Sequence, residues 1–171
     1  MIELVIALFV LTAGVVGVYN AFSIMVVATA QMSDRFTAAY LAQEGIEIVR
    51  NIRDNNWLNN DSWDKDLMDG DCPSGCQADY KTGTSNGLGF TAYGSGAALN
   101  IDADGFYSYS SCPISNSDCQ TKFIRKIIIN TVDDHTLQVV VTVEWFEKKT
   151  IFDFSGTNSI TAEEYLYNWY Q

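Results

Sequence analysis

The chain contains four cysteines, and their spacing limits the chemistry that they can perform. Cys72 and Cys76 lie close together, as do Cys112 and Cys119. An even number of thiols in a polar, anchored domain favours disulfides and an oxidising compartment. A zinc ion held by all four thiolates is the alternative, but C-x3-C and C-x6-C spacing differs from the C-x2-C knuckles of structural zinc sites. The sequence therefore predicts disulfides without fixing which cysteines pair.

An oxygen-rich turn in the second half of the chain could hold a cation. Asn100, Asp102 and Asp104 alternate with other residues and are followed by Gly105, which is how a calcium-binding loop begins. The twelfth position of such a loop supplies a bidentate glutamate, and here it is Ser111. Asp and Gly are also favoured in plain turns. We therefore expect no cofactor, and keep calcium bound by Asn100, Asp102 and Asp104 as the alternative.

Catalysis and nucleic-acid binding are both disfavoured. His135 is the only histidine, so a multi-histidine metal cluster is excluded, and its neighbours Asp133 and Asp134 predict a surface turn. No nucleophile motif such as G-x-S-x-G accompanies it. A formal net charge of -11 with scattered basic residues is opposite to a surface that binds phosphates. We expect that the protein is not an enzyme and that it binds no nucleic acid directly.

The most informative carboxylate is Glu3, because it stands at the start of a long uncharged stretch. This stretch, Leu4–Ala30, is called the apolar segment below, and it exceeds the roughly 20 residues that a helix needs to cross a bilayer. A carboxylate beside such a segment costs free energy unless another group neutralises it. We therefore expect an assembly contact at Glu3, in preference to an interfacial acid beside a membrane anchor.

The apolar segment continues into an amphipathic helix. Between Gln31 and Trp57 apolar residues recur mostly at helical spacing, with charged residues between them. No strong turn signal separates the two halves, and the first proline is Pro73. We predict one helix of about 55 residues. Its hydrophobic part is residues 1–30, which anchor in the membrane, and its amphipathic part is residues 31–56.

Residues 57–171 are predicted to form a head domain built on an antiparallel sheet. A polar, acidic loop at 55–71, which includes the glycosylation sequon Asn60-Asp61-Ser62, ends the long helix. Residues 160–170 predict a short terminal helix with Thr161 as N-cap and Glu164 completing a capping box. Helix first and strands afterwards predict an α+β architecture with a meander. The predicted strands are Gln77–Thr82, Ala98–Ile101, Phe106–Ser110, Thr121–Thr131, Thr136–Phe146 and Lys149–Phe154.

The N-terminal stretch does not read as a cleaved secretory signal. A signal has a basic leading region and a short apolar core, whereas this chain has no basic residue before Arg35 and a much longer apolar run. We expect the segment to be retained in the mature protein. The missing basic leader further predicts that the sequence is already processed or begins just inside the mature chain.

The opening IELVIALFVLTAGVVG, with its single early glutamate, resembles the type IV pilin superfamily. The later block YLAQEGIEIVRNIRDNNW and the terminal YLYNW are similar to a branch of bacterial prepilin-type proteins. The resemblance implies the type IV pilin fold, a long N-terminal α-helix packed on an antiparallel β-sheet with disulfide-clipped loops. It covers roughly a third of the chain through the helix, while the sheet matches in the order of its elements only.

What the resemblance implies about function is a filament subunit. A prepilin peptidase would remove a leader, and the inner-membrane pilus assembly machinery would extract the subunits from the membrane and stack them into an extracellular homopolymer. Glu3 would then pair with the α-amino group of a neighbouring copy, since an acid in an apolar bundle must be paired or protonated. The implied assembly residues are Glu3, Leu4, Leu8, Leu11, Gly14 and Gly17.

The chain departs from the family pattern at two points. Only Met1 and Ile2 precede the glutamate, whereas the family has four residues there, which leaves the position of the mature N-terminus open. The proline that commonly breaks the family's helix is absent, so Gly14 and Gly17 are the candidates either for local melting or for close helix packing.

We expect a pilin that serves adhesion, twitching motility or uptake. A minor pilin or a type II secretion pseudopilin, which would use the same physics at lower copy number, is the first alternative. A monomeric, membrane-anchored surface binding protein is the second, and it would keep its apolar segment in lipid without assembling.

Overall fold

The structure is a computed structural model that describes residues 2–67, 72, 74–83, 89–94, 97–111, 119–147 and 156–169. It begins with a single helix, α1, over Ile2–Leu58. By its internal contacts the chain divides into two compact units, Met1–Thr37 and Ala38–Gln171. The prediction of one uninterrupted helix through both halves of the N-terminal sequence is therefore confirmed.

The part of α1 within Ala38–Gln171 packs on a sheet through small residues. Ala38, Ala42 and Gly45 are buried on this face. A Cβ added at Gly45 would lie 2.8 Å from Cγ1 of Val141, a strand residue, and 3.3 Å from Cδ of Arg125. Glycine at this position therefore allows the helix backbone to approach the sheet more closely than any other residue would. Larger buried side chains flank this contact at Leu41, Ile46, Ile48, Val49 and Ile52.

The main sheet has five antiparallel strands in the order β2-β1-β5-β6-β7. Three of them are long: β5 over Phe123–Asp133, β6 over Thr136–Glu147 and β7 over Gly156–Tyr167. Two short strands, β1 (Cys76–Gln77) and β2 (Thr91–Ala92), complete the sheet. A separate hairpin pairs β3 (Asn100–Ile101) with β4 (Tyr107–Ser108). The predicted α+β layout, a long helix packed on an antiparallel sheet, is confirmed.

Alternation of side chains shows that one face of β6 is covered by the core. Leu137, Val139, Val141, Val143 and Trp145 are all buried against α1, while the residues between them are less buried. This period of two is the signature of a strand with one covered face. The predicted boundaries of β5 and β6 were right to within two residues, and Asp133 ends β5 as the turn signal required.

The predicted terminal helix at residues 160–170 is wrong. Residues 160–167 belong to β7, which pairs with β6 from Gly156 opposite Glu147 to Tyr167 opposite Thr136. Thr161 shares a hydrogen bond with Thr142 instead of capping a helix, and Glu164 binds Arg50 of α1. The capping-box motif involves only a few neighbouring residues. The β-ladder instead pairs the whole stretch with β6, and its side chains are alternately more and less exposed.

Smaller differences concern the short strands. The predicted strand Gln77–Thr82 is reduced to Cys76–Gln77 followed by a turn, and β2 lies in a segment expected to be a connection. The predicted strand Lys149–Phe154 lies outside the described residues. Short edge strands carry few side-chain signals of their own, because pairing with a neighbour decides them.

Arg125 connects three elements of the core although it carries a charge. Its side chain is fully buried on β5. Nη1 donates hydrogen bonds to the backbone oxygen of Leu41 and to Oε2 of Glu44, both at 3.0 Å, and Nη2 donates to the backbone oxygen of Ala78. A buried cation is tolerated only with such partners. The guanidinium therefore holds α1, β5 and the segment after β1 in one arrangement.

We predict that Arg125→Met lowers the free energy of unfolding by about 2–3 kcal/mol, because the buried oxygen of Ala78 loses its donor. Lys126→Met is the matched control. It removes the same charge from the next residue, which points to the other face and lies over the ring of Tyr93. Urea unfolding of the full chain in detergent, followed by tryptophan fluorescence, measures both. Equal midpoints for the two variants would show that the guanidinium does not hold these elements together.

Tyr109 gives the protein a dependence on alkaline pH. Burial raises the pKa of its phenol from 10.0 to about 12, with the Arg125 charge acting in the opposite direction, and its hydroxyl donates to the backbone oxygen of Arg125. Between these pH values the unfolded chain has released the proton and the folded chain has kept it. The unfolded state then binds fewer protons, so the free energy of unfolding must fall as the pH rises through this window.

We predict that Tyr109→Phe flattens this fall by up to about 1.4 kcal/mol per pH unit. The difference between the two proteins isolates Tyr109, since the other tyrosines contribute equally to both. Urea midpoints measured at a series of pH values from neutral to strongly alkaline provide the comparison. Parallel curves for the two proteins would contradict the assignment.

Candidate assembly segment and head-domain sites

The apolar segment presents its side chains to the surroundings on every side of α1. Leu4, Leu8 and Leu11, three of the predicted assembly residues, are 66%, 54% and 63% exposed. An 18-residue window of the helix has a mean hydropathy of 2.3, and none of it is buried inside the structure. Large apolar surfaces in a stable protein mark contact with another molecule or with lipid. By length and composition, this helix could cross a membrane.

Polar residues within the segment are adapted to an apolar environment. The hydroxyl of Thr12 donates to the backbone oxygen of Phe9, that of Ser23 to Tyr19 and that of Thr29 to Met25, at 2.9–3.0 Å. These bonds satisfy the hydroxyl donors within the helix itself. The segment can therefore be buried in lipid or protein without leaving those three hydroxyl protons unbonded.

Glu3 lies in the first turn of α1. A carboxylate there interacts favourably with the positive end of the helix dipole. No described residue forms a hydrogen bond or ion pair with it, so its predicted pairing with another copy remains a prediction. Gly14 and Gly17 lie within the helix, and a Cβ built at either would meet no other atom within 4 Å. Both positions are open to the close approach of a second helix.

The cysteine prediction is confirmed where the structure describes it. Cys72 and Cys76 form a disulfide with a Cα–Cα distance of 5.2 Å. Cys119 is disulfide-bonded as well, and Cys112 lies outside the described residues. The bond between Cys72 and Cys76 closes the loop that leads into β1, which in turn pairs with β5 at Ile127. It therefore constrains the start of β1, which lies between β2 and β5.

The candidate calcium ligands form a hairpin turn between β3 and β4. Oδ1 of Asp102 accepts the backbone N–H groups of Asp104 and Phe106, and Oδ2 accepts the hydroxyl of Tyr80 at 2.6 Å. The Tyr80 hydrogen bond, followed by those from the backbone, lowers the pKa of Asp102. Nδ2 of Asn100 donates to the backbone oxygen of Ser110 instead of facing the turn. The arrangement is that of a plain turn, and the described residues contain no group of three or more His, Cys, Asp or Glu that could hold a metal.

His135 lies in the exposed turn between β5 and β6, as predicted. Its backbone N–H donates to Oδ1 of Asp133 at 2.8 Å, and its carbonyl accepts the N–H of Asn168 at the same distance. The backbone hydrogen bond from His135 lowers the pKa of Asp133. The backbone N–H and carbonyl of His135 therefore both take part in hydrogen bonds that hold the turn.

One feature was missed from the sequence: a cavity of about 350 Å³ at the C-terminal end of α1. We call it the indole cavity, because two tryptophans line it. The polar residues beside them come from the loop after the helix and from the end of the chain. The lining residues are Trp57, Asn60, Asp61, Ser62, Trp63 and Asn168. A cluster of tryptophan, asparagine and serine around residue 60 was the available signal, but nothing local placed Asn168 beside it.

No protein-family model, curated protein or solved structure matches this chain. The resemblance to type IV pilins therefore depends on the residues of its N-terminal motif and on the α+β layout.

Proposed function

We propose that this chain is a structural subunit of a type IV pilus-like extracellular filament. The observation that carries the proposal is an apolar segment exposed on all sides of α1, with 0% of its most hydrophobic window buried within the chain. Relative to exposure in water, burial among copies of the same helix would stabilise the polymer by roughly 1.5–3 kcal/mol for each fully covered Leu, Ile, Val or Phe. No catalytic group is needed for this activity.

The apolar segment would serve two environments in turn. Before assembly it anchors the subunit in the inner membrane, which its length and hydropathy permit. After extraction by the assembly machinery it lines the filament core. The internally bonded hydroxyls and the two open glycines suit both environments, since neither requires new hydrogen-bond partners from water.

Glu3 would give the assembly its register. In lipid, its carboxylate lies at the end of the helix, near the polar boundary. Within a bundle of apolar helices it requires a positive partner, and the α-amino group of a neighbouring copy supplies one by the family resemblance. Only one stagger between subunits brings these groups together, so the ion pair selects that stagger from the many that apolar contacts alone would allow.

Two alternatives share the same helix. A minor pilin or secretion pseudopilin would polymerise in the same way at low copy number. A monomeric, membrane-anchored surface protein would leave its apolar segment in lipid permanently. The abundance and continuity of filaments on the cell distinguish the first alternative, and their complete absence would favour the second.

We predict that Glu3→Ala reduces surface filaments at least about 100-fold, since loss of one partner of a desolvated ion pair costs about 3–5 kcal/mol. The subunit should still accumulate in the membrane, because the apolar segment is unchanged. Immunogold electron microscopy counts filaments, and immunoblots of membrane fractions give the subunit level.

Glu3→Asp and Asp104→Ala complete this experiment. Glu3→Asp keeps the charge and should retain part of the assembly, while Asp104→Ala removes one carboxylate from an exposed turn and should assemble normally. Wild-type filament numbers from Glu3→Ala would refute the role of this residue. Absence of filaments from the unmutated protein, with the subunit present in the membrane, would refute the filament itself.

A further inference from the structure

The lining residues of the indole cavity all belong to the unit Ala38–Gln171, and hydrogen bonds hold several of them in place. At the end of α1, Asn60 has φ 56°, in the left-handed region. The N–H of Asn60 donates to the carbonyl of Trp57 at 3.1 Å and the N–H of Asp61 donates to that of Asn56 at 2.9 Å. This is a Schellman termination with asparagine in the place that glycine usually takes. It fixes the direction in which the loop leaves the helix.

A buried amide then folds the loop back over the helix end. Nδ2 of Asn56 donates to the carbonyls of Trp63 and Lys65, at 3.2 and 2.8 Å. Trp63 is only 8% exposed and joins the core. One wall of the cavity is therefore built by a satisfied polar side chain and an anchored indole, and it exists before any ligand arrives.

Another part of the cavity lining comes from the far end of the sequence. Asn168 lines the cavity together with residues at the end of α1, and its backbone N–H donates to the carbonyl of His135. The ring of the next residue, Trp169, packs edge-on against Trp57 with centroids 4.7 Å apart. Trp169 nevertheless exposes 69% of its surface. An indole presented so openly beside a cavity is a surface on which another ring can stack.

The polar groups of the cavity match hydroxyl donors. Oδ1 of Asn168 is buried and accepts no hydrogen bond from the described residues. Buried acceptors of this kind are normally satisfied, and a donor that enters the cavity would satisfy this one. Asn60 adds a second carboxamide and Ser62 a hydroxyl whose proton is directed to Asp64. A carboxamide offers an acceptor oxygen and two N–H donors, so the cavity can bond with hydroxyl groups, which both donate and accept.

Charge narrows the class of ligand further. Asp61 at the rim and a net charge of -11 oppose an anion. The positions that would attract a cation are taken, since Asp61 pairs with Lys65 at 2.8 Å and the guanidinium of Arg53 lies 4.7 Å from the centre of the Trp57 ring. A volume of about 350 Å³ is at the lower end of small-ligand sites. A neutral, hydroxyl-bearing ring of modest size fits these conditions.

We propose that the indole cavity is a binding subsite for one neutral pyranose ring, the terminal sugar of a glycan. A pyranose has C–H groups on one face and hydroxyls on its rim, so Trp169 would stack on the face and Oδ1 of Asn168 would accept a hydroxyl proton. The site does not depend on filament assembly. It would bind the sugar equally in a single subunit and in a polymer.

Saturation-transfer NMR on the full chain tests this proposal, in a detergent without a sugar headgroup. The probes are the methyl pyranosides of glucose, galactose and mannose, with glucuronate as the anionic comparison. We expect at least one neutral pyranoside to bind with a Kd on the order of 1 mM, as the small number of atoms in the ligand requires. Glucuronate should bind more weakly than glucoside.

Four variants locate the site. Asn168→Leu and Trp169→Ala should each weaken binding at least about tenfold, the equivalent of one lost hydrogen bond or stacking contact. Tyr167→Ala is the matched control, because it removes another exposed aromatic ring two residues away, and it should bind as the unmutated protein does. Asn168→Asp keeps both the shape and the acceptor and should retain binding. Circular dichroism melts verify that each variant is folded.

The neutral pyranosides, glucuronate and the variants can each give a result that overturns the proposal. Absence of signal from all three neutral pyranosides up to about 50 mM would exclude even a weak subsite. Equal binding of glucuronate would refute the charge argument. Unchanged binding by folded Asn168→Leu and Trp169→Ala would place the sugar elsewhere on the protein.

Discussion

The uncharged surface of α1 between Leu4 and Ala30 is the constraint on which the rest of the structure depends. Apolar side chains are exposed on every face of this part of the helix, and their contact with water is unfavourable. Burial of apolar area is the main source of stability in folding and association. Within the described residues the sheet covers α1 only from Ala38 onward. The chain thus combines a unit that completes its own core with a segment whose burial must come from lipid or from other molecules.

The helix α1 belongs both to the unit that completes its own core and to the segment that does not. From Ala38 onward α1 has small residues where the sheet approaches most closely and larger apolar residues at the sides. Arg125 then fixes its position through bonds to Leu41, Glu44 and Ala78, and Arg50 binds Glu164 of β7. These interactions are directional, so they define one arrangement of helix and sheet, whereas apolar packing alone tolerates several. In the proposed filament, every subunit would need this same arrangement of helix and sheet.

Much of the architecture could be predicted from local patterns, and the failures have a common physical cause. The length and hydropathy of Leu4–Ala30, the helical spacing of apolar residues after it and the alternation in β6 are signals carried by residues close together in the sequence. The assignment of residues 160–170 to a helix failed because a plausible capping box competed with a ladder to residues of β6, from Val143 opposite Ile160 to Thr136 opposite Tyr167. The roles of Arg125 and of the indole cavity were missed for the same reason. Both depend on residues brought together by the fold, such as Trp57 and Asn168, and no spacing in the sequence announces them.

In the proposed filament, the apolar segments of neighbouring copies touch one another. A spin label attached at Leu11→Cys reports this directly, because the described cysteines are already disulfide-bonded and packed helices lie about 8–10 Å apart. Material sheared from the cell surface should give an electron paramagnetic resonance spectrum with strong dipolar broadening, which narrows when labelled subunits are assembled with an excess of unlabelled ones. A sharp spectrum that dilution does not change would mean that the helices never meet, and would contradict assembly through the apolar segment.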